Sequence, residues 1–160
     1  MGDIIAKQNI LIYGASGTSG TIAVQYGKYL GAKVTAVCSG KHLDFVKSLG
    51  ADNVINYTTT DTLNENTKFD FILDSVGKIK TSKLKDNCKK ALLKDGKYVS
   101  IDNGALKLSS KRLDLLTNLI ENGKIKPIVD KIYPLEEIVE AHRYAEMGHK
   151  KGGVAITISH

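Results

Sequence analysis

The chain has no tryptophan, two prolines, two cysteines and, among 23 basic residues, two arginines, Arg112 and Arg143. Cys38 and Cys88 form no Cys-x-x-Cys pair, and the histidines stand scattered at 42, 142, 149 and 160, so no metal-ligand spacing is present. With two arginines and no tryptophan, the lysine-rich composition fits a solvated helix face better than the arginine forks and stacking aromatics of a nucleic-acid footprint. No apolar run approaches the roughly 18 residues needed to span a bilayer. Asp3 and Lys7 fall where a signal peptide would be apolar. The expected setting is therefore cytoplasmic, with neither nucleic acid nor membrane as partner.

What is present is a globular composition. The 160 residues are 42% hydrophobic and 25% charged, and a chain of this length buries roughly 70% of its unfolded surface. The formal charge of +6 comes from one stretch, because between Lys78 and Lys97 eight lysines (78, 80, 83, 85, 89, 90, 94 and 97) face only Asp86 and Asp95. Leu84, Cys88, Ala91 and Leu92 recur there at helical spacing, which predicts an amphipathic helix with its apolar stripe in the core and its lysines in water.

Short apolar runs alternate with helical patterns along the chain, the mark of an α/β fold with a parallel sheet covered by helices. The expected strands are Asn9–Tyr13, Lys33–Cys38, Asn53–Asn56, Phe69–Asp74 and Lys97–Ile101, each nearly continuous in apolar residues as strands buried on both faces are. Helical stripes at Ile22, Tyr26, Tyr29 and Leu30, and again at Leu43, Phe45, Val46 and Leu49, end at Gly31 and Gly50. Two further helices are expected over 112–121 and 135–146, with Pro134 at the start of the second. Strands at Lys126–Val129 and Gly153–Ile158 bracket the last helix. The reading is a doubly wound parallel sheet of the Rossmann type over residues 1–123, with a strand-helix-strand appendage over 124–160 that needs another partner.

The most informative segment is Ile10-Leu11-Ile12-Tyr13-Gly14-Ala15-Ser16-Gly17-Thr18-Ser19-Gly20, a buried strand that enters a glycine turn and opens a helix. Glycines in that context let the backbone approach a pyrophosphate, whose charge is stabilised by free N–H groups at the helix start. Ser16, Thr18 and Ser19 add hydroxyls. A dinucleotide site follows. An NAD site usually places an acid after the second strand to accept from the ribose 2′-OH. Here Cys38-Ser39-Gly40-Lys41-His42 supplies none, and Asp44 falls within the next helix. Ser39 and Lys41 suit a 2′-phosphate, so NADP(H) is the expected cofactor.

These residues resemble the nucleotide-binding half of the medium-chain dehydrogenase/reductase superfamily, in its zinc-free quinone oxidoreductase-like and alcohol dehydrogenase-like branch. Ala15-Ser16-Gly17-Thr18-Ser19-Gly20 resembles the family's Ala-x-Gly-x-x-Gly fingerprint, and Ser48-Leu49-Gly50-Ala51-Asp52 with Val54-Ile55-Asn56-Tyr57 is similar to a second block. The resemblance implies that Tyr57 lies beside the adenosine phosphate. It implies too that Leu73-Asp74-Ser75-Val76-Gly77 forms the loop near the nicotinamide ribose, with Ser75, Val76 and Ile101 as contacts. Tyr133 to Glu137, Ala141-His142 and Gly148 to Ile158 look like the family's return segment. The family's substrate pocket sits in a further half that precedes the matched stretch, so no catalytic residue is expected here. The implied function is the cofactor domain of an oxidoreductase acting on a small carbonyl, alcohol, enal or quinone, inactive by itself and prone to form homo-oligomers.

Glycines at 14, 17 and 20 also fit extended short-chain reductases and their non-enzymatic, NADP-sensing relatives. Their Tyr-x-x-x-Lys is satisfied by Tyr29 and Lys33, but Gly31 intervenes and should end the helix between them. His142 is expected to be structural, Cys38 and Cys88 to be small core hydrophobes, and Asn56-Tyr57-Thr58 to be an unused glycosylation acceptor.

Overall fold

The computed structural model describes residues 4–79, 82–103 and 109–158. Asp3, Lys80 and His160 lie outside them. The order is β1 (Asn9–Tyr13), α1 (Thr18–Tyr29), β2 (Lys33–Cys38), α2 (Leu43–Ser48), β3 (Asn53–Asn56), β4 (Phe69–Asp74), α3 (Lys83–Lys90) and β5 (Leu92–Ser100). Then come α4 (Ser110–Glu121), β6 (Val129–Pro134), α5 (Ile138–Glu146) and β7 (Gly153–Thr157). Five strands form one parallel sheet in the order β3-β2-β1-β4-β5, and β6 pairs with β7 in a second, parallel sheet.

The central strand shows why the apolar runs are continuous. Ile10 and Ile12 point into the layer built with Val24 of α1 and Val46 of α2, whereas Leu11 and Tyr13 point into the opposite layer with Leu84 and Cys88 of α3. Both faces of β1 are covered, so alternation would leave polar groups stranded in a core. The predicted helix stops hold: Gly31, Gly50, Gly123 and Gly148 all adopt positive φ. Tyr29 ends α1 and Lys33 begins β2, which removes the Tyr-x-x-x-Lys reading.

Several elements depart from the expectation. Leu92 does not extend the α3 stripe but opens β5, because the N–H of Phe69 bonds the Ala91 carbonyl and Leu92 pairs with Phe69. Lys85, expected in water, is 4% exposed. The strand expected at Lys126–Val129 begins only at Val129. Gln25 of α1 holds Lys126 through both its backbone N–H and its carbonyl, at 2.8 and 3.0 Å, and keeps that stretch out of the ladder. Pro134 closes β6, and a short 3-10 turn over Leu135–Glu137 precedes α5. His142 is exposed on α5 rather than structural.

Candidate functional site

At the carboxyl edge of the sheet the chain leaves β1 and β4 in opposite directions, towards β2 and β5, which opens a crevice between the two strand ends. The glycine turn lies there. Gly14 has φ +80°, and its N–H and that of Ala15 both reach the Val37 carbonyl at 3.0 Å. Gly20 packs so tightly on the turn that an added Cβ would sit 2.7 Å from the Ala15 Cα and nearer still to the Gly14 carbonyl oxygen. Gly17 caps α1 with no side-chain hydrogen bond, and the first turn of α1 carries no acid. The positive end of the helix is thus left for an external anion.

Of the hydroxyls expected to serve that anion, Thr18 is already committed. Its Oγ1 donates to the Gly152 carbonyl at 2.9 Å and accepts from the Lys150 ammonium at 2.6 Å. Ser16 uses its carbonyl to hold the Gly152 N–H at 2.9 Å, and Gly17 bridges Gly152 as a single parallel pair. The return segment therefore lies directly on the glycine turn and brings a cation to it. Sequence reasoning missed Lys150, because 132 positions separate it from Thr18 and nothing local marks the contact.

On the β2 side, Ser39 contacts the Nδ1 of His42 at 3.5 Å, Lys41 is exposed, and the Tyr57 N–H bonds the Cys38 carbonyl at 3.1 Å. Ser39, Lys41 and Tyr57 therefore share one rim, with Asn56 packed against Gly40. No carboxylate joins them from residues 38–42. Asp52, the acid of the second block, stands before β3 at the other end of the strands and holds Lys28 and the Val34 N–H. His42, also missed, is buried; desolvation, then the charge of Lys151, lowers its pKa.

On the β4 side, Ser75 is tied to the Tyr13 carbonyl by its N–H and its hydroxyl, at 2.9 and 3.0 Å. Val76 fills the space beside Gly14, and the Ile101 N–H bonds the Asp74 carbonyl. Beneath them Asp74 is ion-paired with Lys85 at 2.7 Å and accepts from the Tyr98 hydroxyl at 2.6 Å. Burial alone would raise the Asp74 pKa, but Lys85, Tyr98 and the N–H groups of Val76 and Gly77 outweigh it and hold the carboxyl below the usual range. A buried strand ending in a lone Asp is the signal that a cation had to be found for it.

A family model described as zinc-binding dehydrogenase matches residues 20–124, and a second of the same description matches 103–156. The chain belongs to the zinc-binding dehydrogenase family. Within the medium-chain dehydrogenase/reductase superfamily it corresponds to the C-terminal half of the quinone oxidoreductase-like members. The mitochondrial NAD(P)H oxidoreductase RTN4IP1 of Mus musculus is 32% identical, over 92% of this chain and 47% of its own length. A chloroplast envelope quinone oxidoreductase homolog of Arabidopsis thaliana is 30% identical, over 94% and 52%. The chain thus spans about half the length of the curated relatives it matches.

Among solved structures, one titled as an NAD-dependent alcohol dehydrogenase superposes with a TM-score of 0.82 at 26% identity, over 98% of this chain and 52% of the other. The quinone oxidoreductase of Coxiella burnetii superposes at 0.79 and 23% identity, over 98% and 55%, a likeness of fold. The zinc in the family's description finds no fitting donors among the described residues, where no cluster of three ligating side chains occurs. Both thiols are buried and held protonated, Cys38 pushed up to about 11 and Cys88 to about 12 by desolvation.

Proposed function

We propose that this chain is the cofactor-binding half of an oxidoreductase and that it takes NADP(H) through Gly14, Ala15, Ser16, Gly17, Thr18, Ser19, Gly20, Ser39, Lys41, Tyr57, Ser75, Val76 and Ile101, with Thr18 contributing its backbone N–H, since its hydroxyl is held by Gly152 and Lys150. The observation that carries the reading is the uncapped start of α1, free of acids, at the crevice between β1 and β4, with Lys150 drawn onto it. A bound dinucleotide would supply or accept the hydride. The chain's own residues would bind and orient it: the α1 N–H groups and Lys150 at the pyrophosphate, Ser39 and Lys41 at the 2′-phosphate, and the Ser75–Gly77 turn at the other ribose. Relatives named for NAD(P)H, quinones and alkenals support a small carbonyl, enal, alcohol or quinone as the substrate class.

NADPH should bind about ten to a hundred times more tightly than NADH, the worth of one or two charge-assisted hydrogen bonds. Calorimetric titration with both cofactors checks it. A Lys41→Glu variant should lose the preference, and one that retained it would dismiss the 2′-phosphate argument.

Residues 1–123 act as the cofactor domain in this proposal and 124–160 as the piece that completes a substrate domain. The apolar residues this piece would turn towards that domain are Ile125, Ile128, Val129, Ile132, Ile138 and Val139; of these Val129, Ile132, Ile138 and Val139 are exposed and Ile128 is half-buried, whereas Ile125, 1% exposed, belongs to the interior and not to the patch. Hydride transfer needs substrate held against the nicotinamide and shielded from water by a second wall. The chain alone should therefore turn over quinones, enals and aldehydes near background and scatter light as a homo-oligomer. Turnover of about 1 per second or more by a monomer would overturn this. No described helix is long and apolar enough to cross a membrane; a cytoplasmic location, which the organellar names of several relatives do not share, is part of the proposal and is tested by cell fractionation.

A further inference from the structure

A buried ionic group lies beneath the turn that follows β4, and the binding scheme above gives it no task. Asp74 and Lys85 are 2% and 4% exposed. Desolvating two charges seldom gains stability over apolar packing of the same shape, so such a pair calls for a geometric reason. Its bonds supply one. Asp74 Oδ1 accepts the N–H groups of Val76 and Gly77 at 3.1 and 3.0 Å, and the Lys85 ammonium donates to the Gly77 carbonyl. Tyr98 closes on Oδ2 from β5. Val76 in turn abuts the glycine turn so closely that a Cβ on Gly14 would fall 2.6 Å from its Cγ2. The ionic group thus fixes one wall of the crevice against the other.

The direction of a bound dinucleotide follows from the same topology. Ser39, Lys41 and Tyr57 place its adenosine end over β2, the start of α1 takes the pyrophosphate, and the other half crosses towards β4. We propose that Lys85 is a positioning residue for that half: through Asp74 it holds the Ser75–Gly77 turn in the one arrangement that admits the nicotinamide riboside. Lysine suits the task chemically as well as geometrically. A lone Asp74 carboxylate would present a buried negative charge to an anionic cofactor, and the ammonium cancels it without adding a donor to the crevice surface. The inference rests on the dinucleotide reading and goes beyond it by separating the two ends of the site.

The test compares the chain with its Lys85→Met and Tyr98→Phe variants, each checked for folding by circular dichroism, in titrations with NADPH and with adenosine 2′,5′-bisphosphate, which occupies the adenosine end alone. The Kd for NADPH should rise about tenfold in Lys85→Met and about threefold in Tyr98→Phe, while the bisphosphate Kd stays unchanged. Equal weakening of both ligands, or an unchanged NADPH Kd in folded Lys85→Met, overturns the positioning role. Should Lys85→Met fail to fold, Tyr98→Phe decides in the same way, because it removes one hydrogen bond and leaves the charges paired. A parent chain that binds neither ligand overturns the dinucleotide reading itself, an outcome visible before any variant is examined.

Discussion

Replacing Gly20 with valine should abolish dinucleotide binding, lowering affinity by about a hundredfold or more, the equivalent of about 3 kcal/mol. The new Cβ would lie 2.7 to 2.8 Å from the Cα and carbonyl carbon of Ala15 and closer still to the Gly14 oxygen. These are backbone atoms, and they cannot yield as a flexible side chain would. The turn is anchored on its other side by two N–H groups sharing the Val37 carbonyl, so relief must come from lifting α1 off the turn. That movement takes the helix start away from the pyrophosphate. The same overpacking should cost about 1 to 3 kcal/mol of folding stability. Calorimetry and urea unfolding measure the two effects, and a valine variant with parental affinity would show that the turn does not hold the cofactor.

Asp74→Ala should cost about 3 to 5 kcal/mol of stability, because it takes away the carboxylate paired with the buried Lys85 ammonium at 2.7 Å. Against a typical total of about 5 to 15 kcal/mol, that is enough to unfold a marginal chain. The same carboxylate should make the fold acid-labile. Its folded pKa lies below the ordinary value, so its contribution is fully present above pH of about 4, near the unfolded pKa, and is lost as pH falls through the folded one. Asp52, held by Lys28, and Asp130, held by the Tyr144 hydroxyl at 2.5 Å, are lowered too and act in the same direction. Urea midpoints measured from pH 7 to 3 should fall most steeply below about pH 4, and less steeply in an Asp74→Asn variant. A profile identical in that variant would remove Asp74 from the account.

The parts of the site that were legible in the sequence are those whose chemistry is local. A strand that must be apolar on both faces, a turn that must reverse and approach a ligand, and a helix that must stop at a left-handed residue each leave their requirements in a few consecutive positions, as Ile10–Gly20 does. Lys85 was misread for a corresponding reason. On its own helix it is one of several lysines beside an apolar stripe, and nothing within α3 distinguishes it from Lys89 or Lys90; only the carboxylate of a strand 11 positions earlier does. Lys150 and the placement of Lys126 failed in the same manner, since their partners Thr18 and Gln25 are over a hundred residues away.

By itself, then, the sequence determined the alternation of elements, the parallel sheet, the glycine turn and the absence of an acid over residues 38–42 that would favour a bare ribose. Each of these follows from steric and solvation demands felt residue by residue. Tertiary structure alone decided which lysines leave the water, where β5 and β6 begin, and that the return segment lies on the glycine turn. Those outcomes depend on where a distant carboxylate, carbonyl or amide comes to rest, because a buried charge or N–H must find its partner wherever the fold brings one within hydrogen-bond reach.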